Sequence, residues 1–493
     1  MSTVPPSPVA AEQAAPPAEP RNAIDRFFEI TRRGSSFGAE VRGGVVTFVT
    51  MAYIVILNPI ILSTTADVDG TRLGFVQLSA VTGFTAAVMT ILFGLVARLP
   101  FGFAAGLGIN AFLAFSVVGE VTWAEAMGLV VVNGLIIVLL SATGLRRLIF
   151  DAVPMQLKLA ITVGIGLFIA FIGFVNSGFV TSTRSDSPPV GLGIGGSVAT
   201  VPTLIFVVTL LATAALVALR VKGGILIGLV SGTVLAVVVE AIWHIGPKVS
   251  GDTVNPGGWS LTEPKLPAQL ISVPDLSLIG QVDLFGAFGR IGALAALMLV
   301  FTLVFTNFFD AMGTMTGLSK EAGVADENGN FPRLKSALIV EGVGAVAGGL
   351  TSGSSNTVFI ESGAGIGEGA RTGFANIVTG LLFAVAMFFT PLVSIVPTEV
   401  AAAALVIVGA LMMSQIRFID LTDFGALFPV FVTVTVMPMT YSIANGIGAG
   451  FISWVLVRSF SGKARTISPL LWIVTAGFVV FFARGPIEAL LAG

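Results

Sequence analysis

From Gly43 onward the chain is a succession of apolar runs broken by short polar or glycine-rich stretches. The runs cover 43–64, 75–97, 103–118, 122–143, 154–175, 199–219 and 223–243. A polar, proline-bearing stretch at 244–289, containing GPKVSGDTVNPGGW, then interrupts them and predicts a long loop. A second set follows at 290–318, 333–351, 355–369, 371–389, 397–415, 423–440 and 442–459. Most runs are near the ~20 residues that carry a helix across a bilayer. A last apolar stretch, 467–484, stands outside the seven-plus-seven count and predicts an extra C-terminal helix.

Two runs, 103–118 and 355–369, are too short to span as regular helices. They are also the richest in glycine and small polar residues, and each is third in its set. Paired short, broken segments at matching positions of two halves point to a transporter's binding site. KGGILIG (222–228) and ANGIGAG (444–450), each opening the seventh run of its half, support a duplication. An odd number of crossings per half makes the halves inverted. The expected architecture is therefore an all-α polytopic membrane protein of fourteen segments in two inverted repeats, 43–243 and 290–459. In segments 3 and 10 a short strand feeds a half-helix. Residues 1–22, rich in Pro and Ala, read as a disordered tail, and 23–42 as an amphipathic approach helix. Residues 460–493 form a C-terminal extension carrying the 467–484 run.

Composition agrees with this pattern and narrows the function. Of 493 residues 55% are hydrophobic and only 11% charged, far too few charges for a soluble surface. A soluble enzyme and a nucleic-acid binder are excluded. There is no cysteine and one histidine, His244, so no cofactor or multi-histidine metal site is expected. With the N-terminus placed inside and the sides alternated, nineteen Lys and Arg fall inside and five outside. That split obeys the positive-inside rule and predicts a multi-pass cell-membrane protein with a cytoplasmic N-terminus and an extracellular 244–289 loop.

The charges left at bilayer depth are the candidates for chemistry, because burying them is costly. Asp310 lies in the eighth segment, with Asn307 and Thr314 about one turn to either side on the same face. Glu341 lies in the ninth. Glu361 lies in the tenth, after Ser354, Ser355, Asn356 and Thr357 and before Ser362 and three glycines. The run TVFI followed by glycines predicts an extended stretch feeding a half-helix, tolerated only where it lines a cavity. PFGFAAGLGINAFLAF (100–115) should do the same, with Gly106, Gly108 and Asn110 at the turn. Candidate substrate-binding residues are thus Glu361, Asp310, Asn110, Thr314, Gly106, Gly108, Thr357 and Ser362. Proton-coupling candidates are Asp310, Glu361 and Glu341. Glu40, Glu240, Glu368 and Glu399 sit near segment ends and read as interfacial. The aromatics, mainly 38 Phe, read as packing or lipid-facing.

At these residues the chain resembles the nucleobase–cation symporter-2 family, in its AzgA-like branch of adenine, guanine and hypoxanthine permeases. The stretches that carry the likeness are GGVVTFVTMAYIVILNPIIL (43–62), AAGLGINAFLAF (104–115), NFFDAMGTMTGLSKEAG (307–323), TVFIESGAGIGEGARTGFANIVTG (357–380) and PMTYSIANGIGAGFISW (438–454). The resemblance implies that Asp310 serves substrate binding and proton coupling, and that Glu361 contacts the purine ring. It implies that Asn110 faces Glu361 and that Thr314 stands where relatives carry a second polar group. It also implies a core domain of segments 1–4 and 8–11 and a gate domain of 5–7 and 12–14. The tenth segment reads ESGAG where the xanthine/urate branch carries a glutamine–asparagine signature, which makes those two substrates less expected.

The expected function is import of a purine base by proton symport with alternating access, the lipid bilayer and the small base being the partners. Sodium coupling stays open, since carboxylates and half-helix carbonyls also bind Na⁺, and so does a homodimer. An anion transporter or channel on the same inverted fold is the alternative, but two carboxylates repel anions. A membrane-embedded enzyme lacks support: there is no HExxH motif, and the one histidine forms no plausible serine–histidine pair.

Overall fold

The computed structural model describes residues 20, 22–145, 152–183, 185, 187–250, 253–325, 331 and 333–483. The expected N-terminal tail falls almost wholly outside them, as does the end of the C-terminal extension. In chain order the elements begin with α1 (Ala23–Phe28), α2 (Phe37–Met51), α3 (Ile54–Ser63), α4 (Phe75–Val96), β1 (Phe103–Ala105) and α5 (Leu107–Phe112). After a π-turn at Leu113–Val117 come α6 (Trp123–Thr143), α7 (Met155–Asn176), β2 (Val180–Ser182), β3 (Val190–Leu192), α8 (Val201–Ala218) and α9 (Gly224–Trp243). The middle of the chain holds β4 (Val249–Ser250), β5 (Thr253–Val254) and α10 (Gly286–Arg290). The second half has α11 (Ala293–Glu321), α12 (Leu334–Leu350), β6 (Asn356–Val358), α13 (Ser362–Gly367) and α14 (Phe374–Ala386). It ends with α15 (Thr390–Val393), α16 (Thr398–Met413), α17 (Phe424–Met439), α18 (Ile443–Phe460) and α19 (Pro469–Phe482).

Among the described residues, ten helices are long and apolar enough to cross a membrane. These spans and the shorter helices beside them pack as two groups. Helices α2, α3, α4, α6, α11, α12 and α14 form one, and α7, α8, α9, α16, α17 and α18 the other. Glycines allow the closest approaches within the first group. A Cβ on Gly43 would stand 2.6 Å from the Ala370 Cβ, and one on Gly44 2.5 Å from the Ala375 carbonyl. Both halves place a short strand third, and β1 pairs antiparallel with β6 in the register Phe103↔Val358, Ala104↔Thr357, Ala105↔Asn356. Two chain segments running opposite ways through one centre are what an inverted repeat requires.

Three expectations change in detail. The approach helix covers only Ala23–Phe28, because Gly34 takes a positive φ and Ser36 caps a new helix through its side chain. Phe37–Arg42 is therefore the first turn and a half of the first crossing. The connections at 177–200 and 244–285 are also less irregular than bare loops, holding the hairpins β2–β3 and β4–β5. Finally, the four carboxylates near segment ends do lie at helix termini, but three of them are buried caps. Glu40 accepts the backbone N–H groups of Arg371, Thr372 and Ala375 that open α14. Glu240 accepts from Ile245, Gly246 and the indole of Trp259, and Glu399 accepts from Ser260, so both hold the long loop after α9.

The C-terminal run forms α19, which packs on α18 and on α11. Phe478 is fully buried there among Phe301, Phe451 and Phe482. The extra helix thus touches both helix groups.

Candidate functional site

The centre of the molecule is built from two interrupted segments that complete each other's hydrogen bonds. Beyond the three paired residues, Gly106 N–H donates to the Ser355 carbonyl at 2.9 Å and Phe359 N–H to the Gly102 carbonyl at 3.0 Å. The Ser362 hydroxyl accepts from Gly102 N–H at 2.9 Å and donates to the Phe359 carbonyl at 2.7 Å. Thr90 and Asn376 serve the backbone of Phe103 and Phe101. So two three-residue strands, too short to stand alone, persist at membrane depth because neighbouring helices satisfy their polar groups.

Helix α11 crosses this centre. Its Asn307 side chain is fully buried and donates to the Ser355 hydroxyl at 3.0 Å, fixing the helix against the turn before β6. One turn on, Asp310 is partly exposed, and so is Thr314. Gly313 and Gly317 are exposed, with open space where side chains would be. These residues recur at three- and four-residue spacing, so they form one exposed face of α11 from Asp310 to the helix end. The connection after α11 carries Arg333, which with Arg33 and Arg98 binds backbone or stacks on that side. Strand β6, which carries Thr357, and helix α13, which starts at Glu361, both pack on α11.

Away from that end, aromatic contacts join the two helix groups. Phe115 of the third segment meets the Tyr441 ring edge-on at 5.6 Å, and Phe168 and Phe171 of α7 pack on the same ring at 5.5 and 5.8 Å. The Ser116 hydroxyl donates to the Tyr441 carbonyl at 3.1 Å.

Glu361 stands at the start of α13, partly exposed. Its Oε1 accepts a 2.5 Å hydrogen bond from the Tyr53 hydroxyl, and its carbonyl accepts from the Thr50 hydroxyl at 3.3 Å. Asn110 is fully buried, and neither its amide oxygen nor its nitrogen engages a described protein group. The same holds for the Thr357 hydroxyl on β6. Both are therefore free to bond a ligand or water.

The structure brings Asp310, Glu341, Glu361, Thr357 and Ser362 around one crossing, with Asn110 in the half-helix that follows the paired strand. Gly106 packs against Thr357, where a Cβ would lie 3.1 Å from its methyl group. Gly108 instead faces α7, where a Cβ would stand 2.9 Å from Ile165, so it serves close packing between the two helix groups. Glu341 is fully buried on α12. Among the described residues no cluster of three or more His, Asp or Glu is placed to hold a metal ion.

Sequence reasoning missed Tyr53, having treated the aromatics as packing. A usable signal was present: the chain has 38 Phe but only 2 Tyr, and one of these sits inside an apolar run. A buried phenol needs a hydrogen-bond partner.

Comparison with known proteins agrees with this architecture. A xanthine/uracil-type family model described as "Permease family" matches residues 38–448. The guanine/hypoxanthine permease PbuG of Bacillus subtilis is 37% identical over 92% of this chain and 98% of its own length. The adenine permease AdeQ of Escherichia coli is 33% identical over 93% of this chain and 95% of its own. Among solved structures, the transmembrane domain of the cyanobacterial bicarbonate transporter BicA superposes with a TM-score of 0.56 at 15% identity. It covers 83% of this chain and 97% of that one. The murine anion transporter Slc26a9 in its inward-facing state does so with 0.56 at 11% identity, covering 92% of this chain and 74% of that one. At such identities these two establish the inverted-repeat fold and nothing about substrate.

Proposed function

The chain belongs to the nucleobase–cation symporter-2 family of permeases, membrane transporters rather than enzymes, and from that premise we propose that it imports purine nucleobases by proton symport. The bases are adenine, guanine and hypoxanthine, and the membrane is the cell membrane with the N-terminus inside. The observation that carries this reading is the pair Asp310 and Glu361, set on α11 and at the start of α13, two helices that pack on each other beside the paired strands β1 and β6.

A purine offers ring N–H donors and N or O acceptors along one edge. Carboxylate oxygens accept from the donors, while the Asn110 amide and the Thr357 and Thr314 hydroxyls can serve either kind of atom. Glu361, already bonded to Tyr53, acts as the fixed acceptor. Asp310, on the exposed face of α11, carries the coupling proton, because a carboxyl group in a poorly hydrated site changes protonation with occupancy. Movement of the first helix group against the second then exposes the site alternately. In this proposal the exposed face of α11 is the route to the inside, and the aromatic contact at Tyr441 is the gate on the outside.

The test is uptake of labelled purines into proteoliposomes, with proton and sodium gradients imposed separately. Accumulation under an inward proton gradient alone is expected. Accumulation driven only by sodium would replace the coupling ion, and none under either gradient would overturn the reading.

A further inference from the structure

We infer that Tyr53 is a positioning residue of the transport site: by holding one oxygen of Glu361, it fixes the other as the acceptor for the permeant base. This rests on the reading that Glu361 binds the base, and it adds a residue from the first segment to that site.

The local chain is shaped for the contact. The first crossing tightens between α2 and α3, where Ala52 and Tyr53 keep helical dihedrals but their carbonyls accept bonds from three residues on. That turn falls where the segment meets the start of α13. Thr50, just before it, bonds the Glu361 carbonyl, and Tyr53, within it, bonds the carboxylate. One short stretch thus grips both the backbone and the side chain of Glu361.

Packing alone does not explain the residue. Tyr53 is fully buried, and its ring lies 6.5 Å from that of Phe359. A phenylalanine would fill that volume equally well, and this chain uses Phe nineteen times as often as Tyr. What the tyrosine adds is the hydroxyl, and the hydroxyl goes to Glu361. Glutamate has three rotatable side-chain bonds, and a free one would have to be ordered each time a base arrives. A charge-assisted hydrogen bond made before binding removes that cost and sets the carboxylate's angle. With Oε1 committed, Oε2 remains as the oxygen available to a ring N–H.

The test is a double-mutant cycle on base binding, measured by titration calorimetry on purified protein so that transport-dead variants still report. Tyr53→Phe is expected to raise the Kd for the preferred purine about tenfold with an unchanged melting temperature. In a Glu361→Gln background the same change is expected to shift Kd by less than about twofold. Phe359→Leu, which disturbs only the ring packing, serves as the structural control and is expected to lower the melting temperature. An equal Tyr53→Phe effect in both backgrounds, or no effect in either, overturns the positioning role. If Glu361→Gln leaves Kd unchanged while Tyr53→Phe raises it, the reading of Glu361 as the binding carboxylate fails instead.

Discussion

The Ser116 hydroxyl donates to the Tyr441 carbonyl at 3.1 Å, and this bond ties the end of the third segment to the turn between α17 and α18. Ser116 follows a strand that belongs to the first helix group, whereas Tyr441 belongs to the second. The contact therefore joins the two helix groups, and it must break if they part there.

The absence of cysteine from the whole chain makes this contact directly testable. A Ser116→Cys, Tyr441→Cys double variant carries the only two thiols in the protein. Treatment with a short bifunctional thiol reagent is expected to abolish uptake, and a cleavable reagent to restore it on reduction. Single-cysteine variants should lose little activity under the same reagent. Undiminished uptake by the cross-linked protein would show that this contact does not move during transport.

Glu40 should be a large contributor to stability although it is far from the site. It is fully buried and receives three backbone N–H groups at the start of α14, at 2.9, 3.3 and 3.2 Å. Glu40→Ala leaves those donors buried without an acceptor, at an expected cost of about 2–3 kcal/mol. Glu40→Gln keeps an acceptor and should cost about half as much. Melting temperatures in detergent check the order. Equal stability of wild type and the alanine variant would mean that water takes over the cap.

The ion pairs of Glu368 are expected to behave in the opposite way. This carboxylate bonds Arg42 at 2.8 Å and also pairs with Lys222, so it joins the two helix groups on the arginine-rich side. Both basic side chains are more than half exposed, 63% and 58%. Exposed pairs contribute little after solvent screening, so Glu368→Gln should change stability by less than about 1 kcal/mol. A larger loss, persisting in high salt, would reveal a dry contact.

How much of this was readable beforehand depends on the range of the interaction. Segment positions follow from local apolar runs, and the broken third and tenth segments from local glycine and small polar residues. Their bounds consequently fall within a few residues of β1–α5 and β6–α13. Asp310, Glu341 and Glu361 could be singled out because charge at bilayer depth is costly wherever it occurs. What could not be read is what meets what. Tyr53 and its partner Glu361 are 308 positions apart, and Glu40 lies 331 positions before the Arg371 amide it caps. Nothing local distinguishes a carboxylate at a segment end that faces headgroups from one that caps a distant helix. Gly108 shows the same limit: its place in a glycine-rich turn suggested a ligand, while its neighbour is Ile165 of the other helix group.

Asp310 and Glu361 should separate when transport is driven and when it is not. Asp310 lies on the exposed face of α11, between Asn307, which is held by Ser355, and the exposed Gly313. Glu361 has one oxygen held by Tyr53. A proton carrier must gain and lose its proton within each cycle, which suits the carboxylate on that face. An acceptor that orients the base must stay in place, which suits the one already bonded. Asp310→Asn keeps size and hydrogen-bonding capacity but cannot ionise. In proteoliposomes it is expected to exchange external for internal purine while losing accumulation against a gradient and its pH dependence. Glu361→Gln should weaken both exchange and accumulation, by about tenfold, because the base is held less tightly. Proton-driven accumulation that survived Asp310→Asn would move the coupling role to Glu341, the fully buried carboxylate of α12.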